Sequence, residues 1–399
     1  MEIVKIATEP RRVMRIQHQG LIGLKMAVAS SLVANLLLAV VTQNAVGAFQ
    51  PPVSQGPQAV ESAMANQANS NQSGETTDKQ SVSDKPATEL PFKVDVVYSS
   101  DYLIKLGGLE RLHPFDIKKY QKIHEKLKSD GLISDLQTYK PTPLTNQDLV
   151  RVHTNQYLED LKVRAKVAEF LEAPALQYAP LSLERAVLKP FLAASGGTLL
   201  AARKALVSGI GINIGGGYHH AKPDRGEGFC VYADVPIAIR VLQSEKKIRT
   251  AIVVDVDVHQ GNGTIVCLKN DPTTYSFSMH QGDIYPNPKE TGDLDVELNA
   301  GMGDQEYMKV LNQHLPGMLD DFKPDICFIV GGCDPLKGDP LASLEMTHQG
   351  IVKRDHAIVE ACVKRKIPVV LTLSGGYSPD AWKAQYLSIK NLIETYKLR

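Results

Sequence analysis

Four short clusters in this chain carry acid, base or metal-ligating side chains at spacings that could do chemistry. In Asp255-Val256-Asp257-Val258-His259 polar groups alternate with valines. Residues two apart on a strand project to one face, so Asp257 and His259 can point at a single ion. Carboxylate and imidazole suit zinc and similar divalent cations, and carboxylates held between valines would be costly without one. Read alone, the cluster is equally a pair of solvated strand-end carboxylates. Asp334, in Gly331-Gly332-Cys333-Asp334-Pro335, is a natural third ligand that leaves a position open for water. In isolation such a turn is more often a simple Asx turn.

The other two clusters handle protons. In Gly215-Gly216-Gly217-Tyr218-His219-His220, three glycines let the backbone turn sharply and approach a ligand closely. The adjacent histidines there can accept and donate the protons of a water molecule activated by a metal. Two surface histidines in a loop are the other reading. Ser374-Gly375-Gly376-Tyr377 presents a tyrosine hydroxyl that can hydrogen-bond a developing oxyanion, or a tyrosine that merely packs.

These clusters need elements to position them. Near-continuous apolar, β-branched runs occur at 93–98, 209–214, 250–258, 273–279, 325–332 and 368–374. The absence of period-2 alternation says that both faces of each strand are covered, as in a parallel sheet between helices. Helical patterns lie between them at 235–246, 305–320, 348–364 and 379–395. The fold class is therefore α/β: a single three-layer domain with a mostly parallel central sheet, spanning 91–399. Ligands of such sheets bind beyond the carboxyl ends of the strands, and all four clusters fall there.

Composition excludes some functions. Lys+Arg and Asp+Glu both number 44 in 399 residues, and the formal net charge is zero. There is no basic stripe, so direct nucleic-acid binding is not expected. The five cysteines are scattered, odd in number and form no CxxC pair, which argues against disulfides and a structural zinc site. They are expected to be buried thiols. Residues 1–48 combine a basic start, an apolar run at 26–41 and small residues up to Ala48, the layout of a signal peptide cleaved after Ala48. With 21–41 taken as the apolar stretch, a membrane anchor stands beside it, and an organelle transit peptide is a third reading. An exported, periplasmic or membrane-anchored protein is favoured over a cytoplasmic one. Residues 49–90 are rich in Gln, Ser, Asn, Pro and Ala and are expected to be a disordered linker.

The Asp-x-Asp-x-His cluster, the GGGYHHA run, the GGxD turn and the SGGY turn, in this order and spacing, resemble the histone deacetylase family from about Pro91 to the C-terminus. Further runs resemble its class IV: His113-Pro114-Phe115-Asp116, Asp224-Arg225-Gly226, Gly228-Phe229-Cys230-Val231-Tyr232-Ala233-Asp234, His259-Gln260-Gly261-Asn262-Gly263, Ile284-Tyr285-Pro286 and Gly350-Ile351-Val352-Lys353-Arg354-Asp355. The resemblance implies the arginase/deacetylase-like fold and one Zn2+ on Asp257, His259 and Asp334. His220 would be general base and then acid, His219 paired with Asp255 the supporting histidine, and Tyr377 the oxyanion donor. Phe229, Tyr285, Leu341 and Gly217 would line the channel for the acyl-amine stem. Asp255 and Ser278 match positions that help hold a structural K+. Much of the family places a second carboxylate behind the catalytic histidine where this chain has Asn262. A neutral amide there should leave His220 less basic.

The implied activity is removal of acetyl or longer acyl groups from protein lysines. Its rivals are deacylation of small amines such as acetylpolyamines, and a catalytically inactive acyl-lysine binding protein. An arginase-like binuclear manganese site is disfavoured, because Gln260 and Asn262 do not supply the extra carboxylates.

Overall fold

One sheet of eight strands organises the computed structural model, which describes residues 90–399. The leader at 1–48, its apolar stretch at 21–41, and the linker at 49–90 apart from Leu90 lie outside the described residues. The strands are β1 Lys93–Val97, β2 Thr138–Tyr139, β3 Gly209–Asn213, β4 Ala251–Asp255, β5 Thr274–Gln281, β6 Leu294–Leu298, β7 Ile326–Val330 and β8 Val369–Thr372. Their order is β2-β1-β3-β8-β7-β4-β5-β6, and every pairing is parallel. All six strands expected from the apolar runs are present, and two more, β2 and β6, extend the two edges.

Alternate strand residues enter separate cores, which makes three layers. Val94, Val96, Ile252, Val254, Cys327, Ile329, Val369 and Leu371 face one core. Val97, Ala251, Val253, Ile326, Phe328, Val330 and Val370 face the other. The longer helices are α1 Lys119–Ser129, α2 Lys189–Ser208, α3 Asp234–Ser244, α4 Asn262–Leu268, α5 Asp304–Phe322, α6 His348–Lys364 and α7 Ala381–Tyr396. On the first face α5, α6, α7 and α1 pack in succession, and on the second α2 packs on α3. Short helical turns between Asn146 and Tyr178 complete the second layer.

Local chemistry fixes the helix starts. The Thr347 hydroxyl accepts the Gly350 N–H at 3.0 Å, a cap contributing about 1 kcal/mol. Pro190 occupies the first turn of α2, where a missing N–H costs nothing. Four of the five cysteines are buried and none is in a disulfide. Among the described residues no helix is long and apolar enough to cross a membrane.

The strands β3, β8, β7 and β4 are consecutive in the sheet centre. Each of the four chemical clusters leaves the carboxyl end of one of them.

Candidate active site

Asp257, His259 and Asp334 converge. One ligand atom from each lies within 4.8 Å of the other two, and all three residues are buried. Parallel pairing of β4 with β7 puts Asp255 opposite Val330, which brings the two loops that continue these strands side by side. His259 Nδ1 lies 3.2 Å from Asp257 Oδ1 and 3.3 Å from Asp334 Oδ2. Backbone N–H groups donate to three of the four carboxylate oxygens: Val258 to Asp334 Oδ1 at 2.9 Å, His259 to Asp257 Oδ1 at 3.0 Å, and Gly375 to Asp257 Oδ2 at 2.9 Å. Asp334 Oδ2 is buried without a hydrogen-bond partner. A buried carboxylate oxygen left open between a second carboxylate and an imidazole fits a divalent cation.

The surrounding backbone closes tightly on this group. A Cβ on Gly375 would lie 2.2 Å from Asp334 Oδ2 and 2.7 Å from Asp257 Oδ2, and one on Gly332 would lie 2.1 Å from Asp257 Oδ2. Only glycine lets both turns approach the ligands so closely.

The two histidines have different partners. His219 Nδ1–H donates to Asp255 Oδ2 at 2.8 Å, and its Nε2 lies 3.7 Å from Asp257 Oδ1. His220 Nδ1 meets Asn262 Oδ1 at 2.7 Å. An amide oxygen can only accept, so Nδ1 carries the proton and Nε2 is left free as a base. Burial favours neutral imidazole at both, with opposite net results. At His219 it is outweighed by the Asp255 and Asp257 charges, which push the pKa up to about 9. At His220 the neighbouring His219 and His259 add to burial, and the pKa falls well below the usual value. Within the ligand pair, burial opposes ionisation of Asp257 but is outweighed by His219 and His259, so it stays ionised. Burial and the Asp257 charge push Asp334 up to about 7.

Aromatic side chains ring the ligands. The Tyr377 ring lies 6.2 Å from that of His259 and 6.0 Å from that of Phe229. Tyr285 lies 4.9 Å from His220 and 6.3 Å from His259. Phe229 is half-buried, and Tyr285 and Leu341 are exposed. Gly217 sits deeper, in a buried turn whose carbonyl accepts the Ser374 hydroxyl at 2.8 Å. Asp255 and Ser278 face one another across β4 and β5.

Four further charged residues support the site and were not singled out in the sequence. Asp339 Oδ2 accepts the Tyr377 and Ser378 N–H groups at 2.7 and 3.1 Å, and its Oδ1 accepts the Leu341 N–H at 3.0 Å. Lys119, buried in α1, donates to the carbonyls of Ser374 and Gly375 at 2.8 and 2.9 Å. Arg354, buried in α6, donates to the carbonyls of Val256 and Gly332 at 2.9 and 2.7 Å. Glu227 Oε1 accepts the Asn262 amide N–H at 2.8 Å and the Tyr285 hydroxyl at 2.7 Å. Only Arg354 lay within a motif noticed in the sequence. Glu227 and Asp339 sit between glycine and glycine or proline, a pattern that marks turns and not chemistry.

The model of the histone deacetylase domain matches residues 113–392. Histone deacetylase 2 of Arabidopsis thaliana is 36% identical over 304 residues, covering 75% of this chain and 79% of that protein. A histone deacetylase-like amidohydrolase of Pseudomonas aeruginosa is 28% identical, covering 65% of this chain and 70% of its own. In fold the chain is similar to the crystal structure of the HDA15 HD domain, with a TM-score of 0.63 at 21% identity, over 75% of this chain and 90% of that one. Sequence family, parallel sheet and buried Asp-His-Asp group agree: the chain belongs to the histone deacetylase family of hydrolases.

Proposed function

We propose that this chain is a zinc-dependent amidohydrolase that removes acyl groups from lysine side chains of proteins, with the class IV type of His220–Asn262 pair. The observation that carries this reading is the convergence of Asp257, His259 and Asp334, with the rings of His220, Tyr285 and Tyr377 at 6.0, 6.3 and 6.2 Å from that of His259. A zinc ion on the three ligands would supply Lewis acidity to the acyl carbonyl and to the attacking water.

The chain's own residues do the rest. His220 Nε2 takes the proton of the attacking water and returns it to the amine nitrogen as the C–N bond breaks. The products are a carboxylate and a free amine. His219, held protonated by Asp255, lends positive charge without transferring its proton. Tyr377 donates its hydroxyl to the oxyanion of the tetrahedral intermediate. Phe229 and Tyr285 hold an alkyl stem between two apolar faces and exclude water from it. The Asp255 and Ser278 pair belongs to the structural K+ site in this reading.

The test is hydrolysis by the purified, zinc-loaded full chain of acetyl-lysine peptide, myristoyl-lysine peptide and acetylspermidine in parallel. Peptide cleavage that is lost on chelation and restored by zinc supports the reading. Cleavage of acetylspermidine alone replaces it with the small-amine reading, and zinc binding without turnover replaces it with an acyl-lysine binding protein. Residues 1–48 are proposed to direct export or to anchor the chain through 21–41. Fractionation with N-terminal sequencing tests this, since a cleaved signal leaves Phe49 at the N-terminus.

A further inference from the structure

Asn262 does not act on His220 alone. Its Oδ1 accepts from His220 Nδ1 at 2.7 Å and from the Gly263 N–H at 3.0 Å. Its Nδ2 donates to Glu227 Oε1 at 2.8 Å. A carboxylate can only accept, so the amide is held in one orientation from both ends. Hydrogen bonds in series polarise one another, and a charged acceptor on Nδ2 makes Oδ1 a stronger acceptor for His220.

The same Glu227 oxygen also accepts the Tyr285 hydroxyl at 2.7 Å, so one atom joins the proton-transfer pair to the ring proposed as a channel wall. The other oxygen lies 3.1 Å from Arg225 Nε and 3.4 Å from Lys222 Nζ. Lys222 is shared with Glu290. Burial opposes ionisation of Glu227, but the hydrogen bonds from Tyr285 and Asn262 and the charge of Lys222 outweigh it, so the carboxyl stays below its usual range.

We propose that Glu227 is a positioning residue for the proton transfer: through Asn262 it supplies from one hydrogen bond further away the negative charge that the amide lacks, and through Tyr285 it ties the channel wall to the same oxygen. The inference rests on the reading of His220 as the base. It assigns to a residue in the Gly226-Glu227-Gly228 turn the work that a carboxylate at position 262 would otherwise do.

The experiment is a double-mutant cycle in the zinc-loaded full chain with Glu227→Gln and Asn262→Asp. Glu227→Gln is isosteric and partly exposed, and its melting temperature is checked against the parent. With Asn262 present, it is expected to lower kcat/KM on an acyl-lysine peptide by about tenfold, part of what general acid–base catalysis contributes. In the Asn262→Asp background the sign reverses. The new carboxylate oxygen would then sit where Nδ2 sits now, 2.8 Å from a second carboxylate. Glu227→Gln relieves that repulsion, so there it raises the rate.

Tyr285→Phe tests the tie to the channel wall: it should raise KM on the same peptide. A readout independent of turnover is the His220 Nδ1–H proton resonance, assigned by its loss in a His220→Ala variant. A charge-assisted bond holds this resonance downfield; Glu227→Gln should move it upfield, and Tyr285→Phe should not. If no substrate is cleaved the functional reading fails, while the resonance still tests the relay. An unmoved resonance, or a rate loss of equal size in both backgrounds, overturns the proposal. Should Glu227→Gln fail to fold, Glu227→Ala is read in the same way.

Discussion

Replacing Gly375 by alanine should abolish tight metal binding while leaving the fold in place. Its φ lies outside the left-handed region, so alanine fits the backbone and only the added methyl matters. That methyl carbon would lie 2.2 Å from Asp334 Oδ2 and 2.7 Å from Asp257 Oδ2. Carbon–oxygen contacts settle at about 3.3 Å or more, so Asp334 Oδ2 must retreat by about 1 Å. Ligand distances at a metal tolerate only about 0.2 Å. Displacing supporting groups costs about 10- to 100-fold in affinity, and here two ligands move at once, so a loss of about 100-fold or more is expected. The assay is zinc content of the purified full chain, followed by competition with a chromophoric chelator. Gly317→Ala is the control: nothing lies within 4 Å of its Cβ, and a helical Gly→Ala change should add up to about 1 kcal/mol of stability without touching the metal. A Gly375→Ala variant that binds zinc as tightly as the parent would refute the claim that Asp257 and Asp334 are ligands.

Tyr377→Phe should keep its zinc and lose about 100-fold or more in kcat, the typical effect of deleting one oxyanion donor; loss of zinc along with activity would point instead to a structural role. Asn262→Asp should raise the His220 pKa, because a carboxylate replaces the amide oxygen now 2.7 Å away. The base works only when neutral, so the acid limb of the kcat/KM profile moves to higher pH, and an unmoved limb counts against His220 as the base. Zinc uptake should release protons in a pH-dependent number. Burial is outweighed at His259 by Asp257 and Asp334, which hold it protonated up to about pH 10, and Asp334 is pushed up to about 7. Calorimetry in buffers of different ionisation heat should therefore show about two protons released at pH 6 and about one at pH 8. A constant proton count between these values would contradict the raised Asp334.

Much of the architecture was legible because its signals are local. Runs such as Ala251–Asp255 and Ile326–Val330 are apolar on both faces, and only a covered parallel sheet accounts for that. Helix α2 was not read, because the Gly196-Gly197 pair in its middle looks like a loop. The reason for that pair is tertiary: a Cβ on Gly196 would meet the Thr142 carbonyl oxygen at 2.0 Å, and one on Gly197 the Tyr102 hydroxyl at 2.0 Å. Strand β2 is two residues long and leaves no pattern. The Asp257, His259, Asp334 and His220 clusters were visible from residue type and spacing. Glu227, Asp339 and Lys119 were not, since each acts through one or two hydrogen bonds to residues far away in sequence.

Those distant groups explain why the ligand loops hold their shape. Asp257 and Asp334 are two carboxylates in an apolar surround, and in a dry interior their repulsion would spread the loops apart. Two buried cations from different helices oppose this, and each does so through backbone carbonyls. Arg354 of α6 ties Val256, beside Asp257, to Gly332, two residues before Asp334. It is itself held by Asp355, which accepts from its Nε at 2.8 Å. Lys119 of α1 ties Ser374 to Gly375, whose N–H in turn holds Asp257. Neither cation takes an Asp257 or Asp334 oxygen for itself, so Asp334 Oδ2 stays open to a metal. The arrangement brings positive charge close to the ligands without competing for their coordination, which a lysine or arginine paired directly to Asp334 would do.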